Sequence, residues 1–260
     1  MSTIIKIVNL LAYIFLLGAN VYSGFVDDKD DSPYHSGHNS FITPAPFAFS
    51  IWGVIHFLLG GFVVYQFFSS ATEAVVDGIS WHFLAIAVWN FFWLFSWQNG
   101  YLLFAWIFIL LTSTQISFVY YTIKYKYPSQ NINDTLWIHT PFSLYHSWII
   151  VLAVISTFVT FLPDKTSHDD EPDLLTKILV IIGLLFLEAT AVSYVEKFKA
   201  DVAGAIVITW SLYGIAAEQT DPWIHWTALV LAIISNIHII VPFVKKYYFG
   251  SREENTRLLG

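Results

Sequence analysis

The sequence predicts an all-α, polytopic membrane bundle of about eight transmembrane helices. Of 260 residues 56% are hydrophobic and 12% charged, about half the charged share of a typical soluble domain. The apolar residues fall in runs of about twenty, the length at which a helix crosses a hydrocarbon core of about 30 Å. Aromatic side chains make up 18%, with eleven Trp, fourteen Tyr and twenty-three Phe.

Taken in order, the runs cover 4–22, 47–68, 80–97, 101–123, 141–162, 174–194, 201–217 and 223–244. The first carries Lys6 ahead of its apolar stretch and ends in small residues near Ser23, a pattern shared with secretory leaders, and it is taken as a retained helix. The second starts after Pro44 and Pro46, which suit a helix start because no backbone donor is needed there. Only Gln98-Asn99-Gly100 separates the third from the fourth, so those two form an antiparallel pair. The seventh is the shortest. Placing the N-terminus inside puts nine basic residues on the cytoplasmic face and only Lys29, Lys165 and Lys177 outside. By the positive-inside rule both termini are then cytoplasmic. The sequon at Asn133 also falls inside and is expected to be unglycosylated.

Several classes are excluded. The chain has no cysteine, so thiolate metal sites, disulfides and cysteine nucleophiles are absent. No basic nucleic-acid surface, serine elbow, phosphate-cradling glycine loop, His-x-x-x-His box or central intramembrane lysine is present.

Three blocks carry a family resemblance. Phe41-Ile-Thr-Pro-Ala-Pro-Phe-Ala-Phe-Ser-Ile-Trp52-Gly opens the second helix, Asn90-Phe-Phe-Trp93 lies in the third, and Pro141-Phe-Ser-Leu-Tyr145-His-Ser-Trp148 opens the fifth. In order and spacing they resemble the TspO/MBR family of tryptophan-rich sensory proteins, especially its longer branch. Lys199-Ala-Asp201 through Trp210 is similar to that branch's seventh helix. The resemblance implies a five-helix core over 1–162, three additional helices over 163–245, and a cytoplasmic tail over 246–260. It also implies a pocket accepting porphyrin, haem or, in some members, sterol, with Trp52, Asn90, Trp93 and Trp148 at pocket positions. Three positions depart from the family pattern. His56 stands where Tyr is usual, Ser156 where Asn is frequent, and Pro46-Phe47 replaces a glycine-aromatic pair.

Residue chemistry gives a parallel reading. Trp81, Trp97, Trp137 and Trp223 suit interfacial anchors near helix ends. Trp89, Trp93 and Trp97 repeat every four residues and form a stripe on one helix face, with Asn90 at the same depth. Such a stripe serves packing or the wall of a planar ligand site. Tyr145, Trp148 and Ser156 share a face of the fifth helix, and His146 points elsewhere. His56, four residues after Trp52, should line the same space, as a satisfied histidine or as a ligand to haem iron. Glu188 is the acidic residue well inside a span, about 10 Å deep, at the level of Thr209, Asn236 and His238. These four are read as a polar relay or as interhelical glue.

The acidic loops, with Asp27, Asp28, Asp30 and Asp31 beside His35 and His38, are taken as solvated rather than metal-binding. The tail through Leu258 and Leu259 resembles an acidic dileucine signal for endomembrane or vacuolar delivery. The function expected is binding of a hydrophobic planar ligand for sensing, sequestration or transport. No cofactor is required, and the partners are the lipid bilayer, the ligand and, as an open option, a second copy in a homodimer. An enzyme acting on tetrapyrroles through Trp148 is the weaker option. The alternatives are a proton-coupled carrier using Glu188 and a non-catalytic interaction protein.

Overall fold

In a bilayer the backbone must satisfy its own hydrogen bonds, so apolar runs of this length become helices. The computed structural model describes residues 2–26, 38–68, 72–167, 170–197 and 201–257, with side chains only to 23 in the first stretch and to 241 in the last. These contain eight long helices: α1 Ser2–Val26, α2 Ile51–Tyr65, α3 His82–Gln98, α4 Leu102–Lys126, α5 Thr140–Phe161, α6 Leu174–Glu196, α7 Val202–Glu218 and α8 Pro222–Arg257. Six of the eight, with the turns leading into α2 and α5, are long and apolar enough to cross a membrane. The other two, α3 and α7, have 17 residues each, about 26 Å of rise, and need their flanking turns to complete a span.

Local signals set the ends. Asp173, Asp201 and Asp221 accept from backbone N–H groups at the starts of α6, α7 and α8, where a carboxylate pairs orphan donors and meets the helix dipole favourably. Gly100, at φ +73°, makes the tight α3–α4 turn that the Gln98-Asn99-Gly100 sequence predicts. Two boundaries differ from the apolar runs. The expected helix at 47 starts as a 3₁₀ turn over Pro46–Ser50, and regular α geometry begins at Ile51. α8 continues to Arg257, so position 246 marks a change of polarity within a helix rather than a backbone break. Leu258 and Leu259 lie outside the described residues, as do Asp27, Asp28, Asp30, Asp31 and His35.

α5 is buried on nearly every side and packs against α2, α4 and α7, as expected of a helix that is apolar all round. α1 is tied to α2 and α3 by a polar stripe. Asn9 donates to Gln66, Tyr13 to the His56 carbonyl and Asn20 to Asn90, while Gln98 donates to Ser23.

The segment leading to α2 dips into the bundle along α7, at the end of the molecule opposite the N-terminus. Gln219 Nε2 donates to the Thr43 carbonyl at 2.7 Å, Ala45 N to the Gly214 carbonyl at 2.9 Å, and Trp210 Nε1 to the Ala48 carbonyl at 3.1 Å. Irregular backbone at membrane depth is tolerated because protein groups satisfy it. Gly214 permits the approach, since a Cβ there would lie 2.7 Å from Ala48 Cβ and 3.0 Å from Pro44 Cβ.

Candidate functional site: an aromatic chamber between α2, α3 and α5

Placing Trp52 at the start of α2 and Trp148 on the central helix brings together rings from separate parts of the sequence. The Trp52 ring stacks on His56 at 5.3 Å, and meets Tyr145 at 5.6 Å and Trp148 at 6.2 Å. Phe49 closes the other side of Trp148, edge-on at 5.5 Å. A narrow cavity of about 20 Å³ continues the chamber past Phe49 to Trp93, Trp97, Ser156, Thr43 and His38. That volume holds about one water and is far below the roughly 300–1,000 Å³ of a ligand pocket. The chamber is closed in this conformation.

Trp52, His56, Asn90, Trp93, Tyr145, Trp148 and Ser156 are all buried. Both ring nitrogens of His56, Trp148 Nε1, Ser156 Oγ and Asn90 Nδ2 have no hydrogen-bond partner among the described residues. Asn90 is bound through its other atom, accepting from Asn20 Nδ2 at 3.2 Å. An unpaired buried polar group costs about 1–3 kcal/mol, so the orphaned donors and acceptors around this one aromatic chamber are costly as they stand.

The tryptophan stripe divides. Trp93 and Trp97 turn inward with Asn90, whereas Trp89 faces α4 and stacks on Phe108 at 6.0 Å. Trp97 is therefore a wall residue rather than an interfacial anchor. Trp137 is also not a plain anchor, because its ring lies over Gly61. Trp81 and Trp223 remain exposed at helix ends.

The residues grouped at the Glu188 level go to different partners. Glu188 accepts from Ser235 of α8, and its Oε1 has no partner among the described residues. Thr209 bonds its own helix at Ala205, Asn236 donates to Tyr213, and His238 faces Glu196 at 3.5 Å. For Thr209 and Asn236 equal depth does not give a shared face, because helix rotation decides which way each side chain points, whereas His238 is near enough to Glu188 to interact with it electrostatically.

Sequence reasoning missed a second polar center. Asp201 accepts from Tyr120 at 2.9 Å, Lys124 at 3.0 Å, Ser143 at 2.8 Å and Gly204 N at 3.5 Å. His146, which does point away from the chamber, shares hydrogen bonds with Ser117 and Tyr194. The signal available was an aspartate at a helix start, which alone indicates a cap and not its distant partners. Tyr120 and Lys124, which fit a loose sterol-contact pattern, are turned toward Asp201 instead.

A family model described as TSPO-like protein matches residues 6–241. The chain belongs to this family. The TSPO-like match includes α6, α7 and α8 as well as the first five helices, in keeping with α7 seating the Phe41–Trp52 segment. No curated protein and no solved structure matches the chain. It is an integral, multi-pass membrane protein of TSPO-like type.

Proposed function

We propose that this TSPO-like protein binds a hydrophobic planar ligand, a porphyrin or haem, in the chamber between α2, α3 and α5, for sensing, sequestration or transport. The supporting observation is the convergence of unpaired polar atoms of His56, Trp148 and Ser156 on walls made by Phe49, Trp52 and Trp93. Flat aromatic faces stack on a macrocycle, and a few polar atoms fix its orientation. With room for only about one water in the adjoining cavity, binding requires the chamber to open, and the 38–50 segment is the wall formed by irregular backbone. His56 has nitrogens able to donate, accept or ligate iron.

Titrating detergent-purified protein with haem and protoporphyrin, followed by tryptophan quenching and the Soret band, tests this. Saturable binding weakened by Trp148→Phe is expected, and His56→Ala should alter the Soret band if the imidazole ligates iron. Absence of saturable binding would contradict the reading. It would favour the carrier alternative, whose single support is the unpaired oxygen of buried Glu188.

A further inference from the structure

Glu188 stands apart from the chamber, where α6 packs against α7 and α8. It is 7% exposed. Its Oε2 accepts from Ser235, and its Oε1 has no hydrogen-bond partner among the described residues. No described lysine or arginine is paired with it. Lys177, the basic residue of α6, is held by Asp221 at 2.7 Å at the other end of the helix. Between Asp201 and Glu218, α7 has no charged side chain, and its titratable Tyr213 is bonded to Asn236. A carboxylate left in this setting is expensive at membrane depth, and taking up a proton removes its charge.

The two ways out of the site differ. Toward the end read as cytoplasmic, His238 of α8 interacts electrostatically with Glu188. The same imidazole lies 3.5 Å from Glu196, the last residue of α6, and the two side chains are 38% and 58% exposed. Ser235 and His238 are three residues apart, neighbours on the surface of α8. Hydroxyl, imidazole and surface carboxylate therefore form a stepped line from the buried carboxyl to the edge of the bundle. Toward the opposite end the interior is filled by Val180, Leu184 and Leu187 of α6 and Ala228, Leu231 and Ala232 of α8. Thr209 and Ser211 of α7 commit their hydroxyls to carbonyls of their own helix. On α6 the next ionisable group in that direction is Lys177, eleven residues earlier, about 16 Å of helix rise.

We infer that Glu188 is a proton-binding site filled from the Glu196 end alone, with His238 as the positioning residue that passes the proton between the surface and the carboxyl. One proton is taken from water at that face, carried by the imidazole and held on Glu188, and none is delivered to the other face. A carrier needs its site open to both faces in turn, so this one-sided site is a sensor of the pH in one compartment. The inference is independent of the chamber.

The probe is dicyclohexylcarbodiimide, which adds to protonated carboxyl groups in apolar surroundings, and the adduct on Glu188 is read by mass spectrometry of its peptide. Protein carrying Ser129→Cys is reconstituted in vesicles, and thiol labelling identifies which compartment faces the Glu196 end. Each compartment is then moved separately from about pH 8 to about pH 5, the range over which histidine changes charge. Acidifying the Glu196 face should raise the adduct about tenfold per pH unit until it saturates, and acidifying the opposite face should leave it unchanged. Glu188→Gln should remove the adduct, and His238→Phe should reduce the response several-fold. An equal response to both faces means a path through the bundle and overturns the inference in favour of the carrier. No adduct on Glu188 at any pH overturns it in favour of helix glue. An unchanged response in His238→Phe overturns the part given to the imidazole. The arms without a change at Glu188 or His238 decide the main claim, so it is tested even if those variants do not fold.

Discussion

Asp201 caps α7 and, in the same position, accepts hydrogen bonds from side chains on α4 and α5. Its side chain and that of Lys124 are 8% and 16% exposed, so removing the carboxylate charge leaves a poorly solvated cation. Asp201→Asn should lower stability by about 3 kcal/mol, measured by chemical unfolding in detergent, and a change near zero would contradict this role. Glu188→Gln should cost far less, about 1 kcal/mol, because the helix tie to Ser235 can persist as a neutral hydrogen bond. It should also leave porphyrin titration unchanged, whereas a pH-dependent loss of activity would point to a relay. Outside the membrane, Asp170 is held well below the usual carboxylate range by the Thr166 and Ser167 donors. A depressed folded value means that the loop's contribution is fully present above the unfolded value, about pH 3.9. It is lost only as pH falls through the lower folded value. Amide exchange at Thr166 and Ser167 should stay protected at pH 5 and open in stronger acid.

At the scale of elements, the contact between α7 and the 38–50 segment explains why α2 starts deep in the bundle and is only 15 residues long. Gly214→Val places atoms where Ala48 and Pro44 pack and should cost about 1–3 kcal/mol. It should also weaken porphyrin binding, because the displaced segment carries Phe49. Unchanged binding would separate α7 from the chamber. The helices themselves were legible in sequence, since run length and the Gln98-Asn99-Gly100 turn report on local chain geometry. The Trp52–His56 pairing was legible too, being an i,i+4 relation within one helix. What was not legible depends on helix rotation and on neighbours distant in sequence. Trp89 and Trp93 share a spacing but face different helices, Glu188 bonds Ser235 rather than the adjacent Asn236, and the partners of Asp201 lie on helices distant in sequence. Phe49 stood within the quoted motif, but its place beside Trp148 needed the fold.

At the scale of the whole molecule, the eight helices bring 65–68, 72–82, 126–140, 196–197 and 201–202 to one end and 38–50, 98–102, 161–167, 170–174 and 218–222 to the other. From the distribution of lysine and arginine we propose that the first end is cytoplasmic. Because the chain has no cysteine, single cysteines report their side without background. Ser129→Cys should label from the cytoplasmic face and Ser167→Cys from the opposite face; labelling from one face would break the alternating topology. The central claim is the location of the ligand, and an experimental structure with protoporphyrin bound tests it most directly. The account predicts a macrocycle between Trp52, Trp93 and Trp148, with the 38–50 segment displaced and the chamber enlarged. A macrocycle found only in the apolar groove between α5 and α6, against Phe158 and Phe186, with the chamber still closed around Trp148, would contradict it.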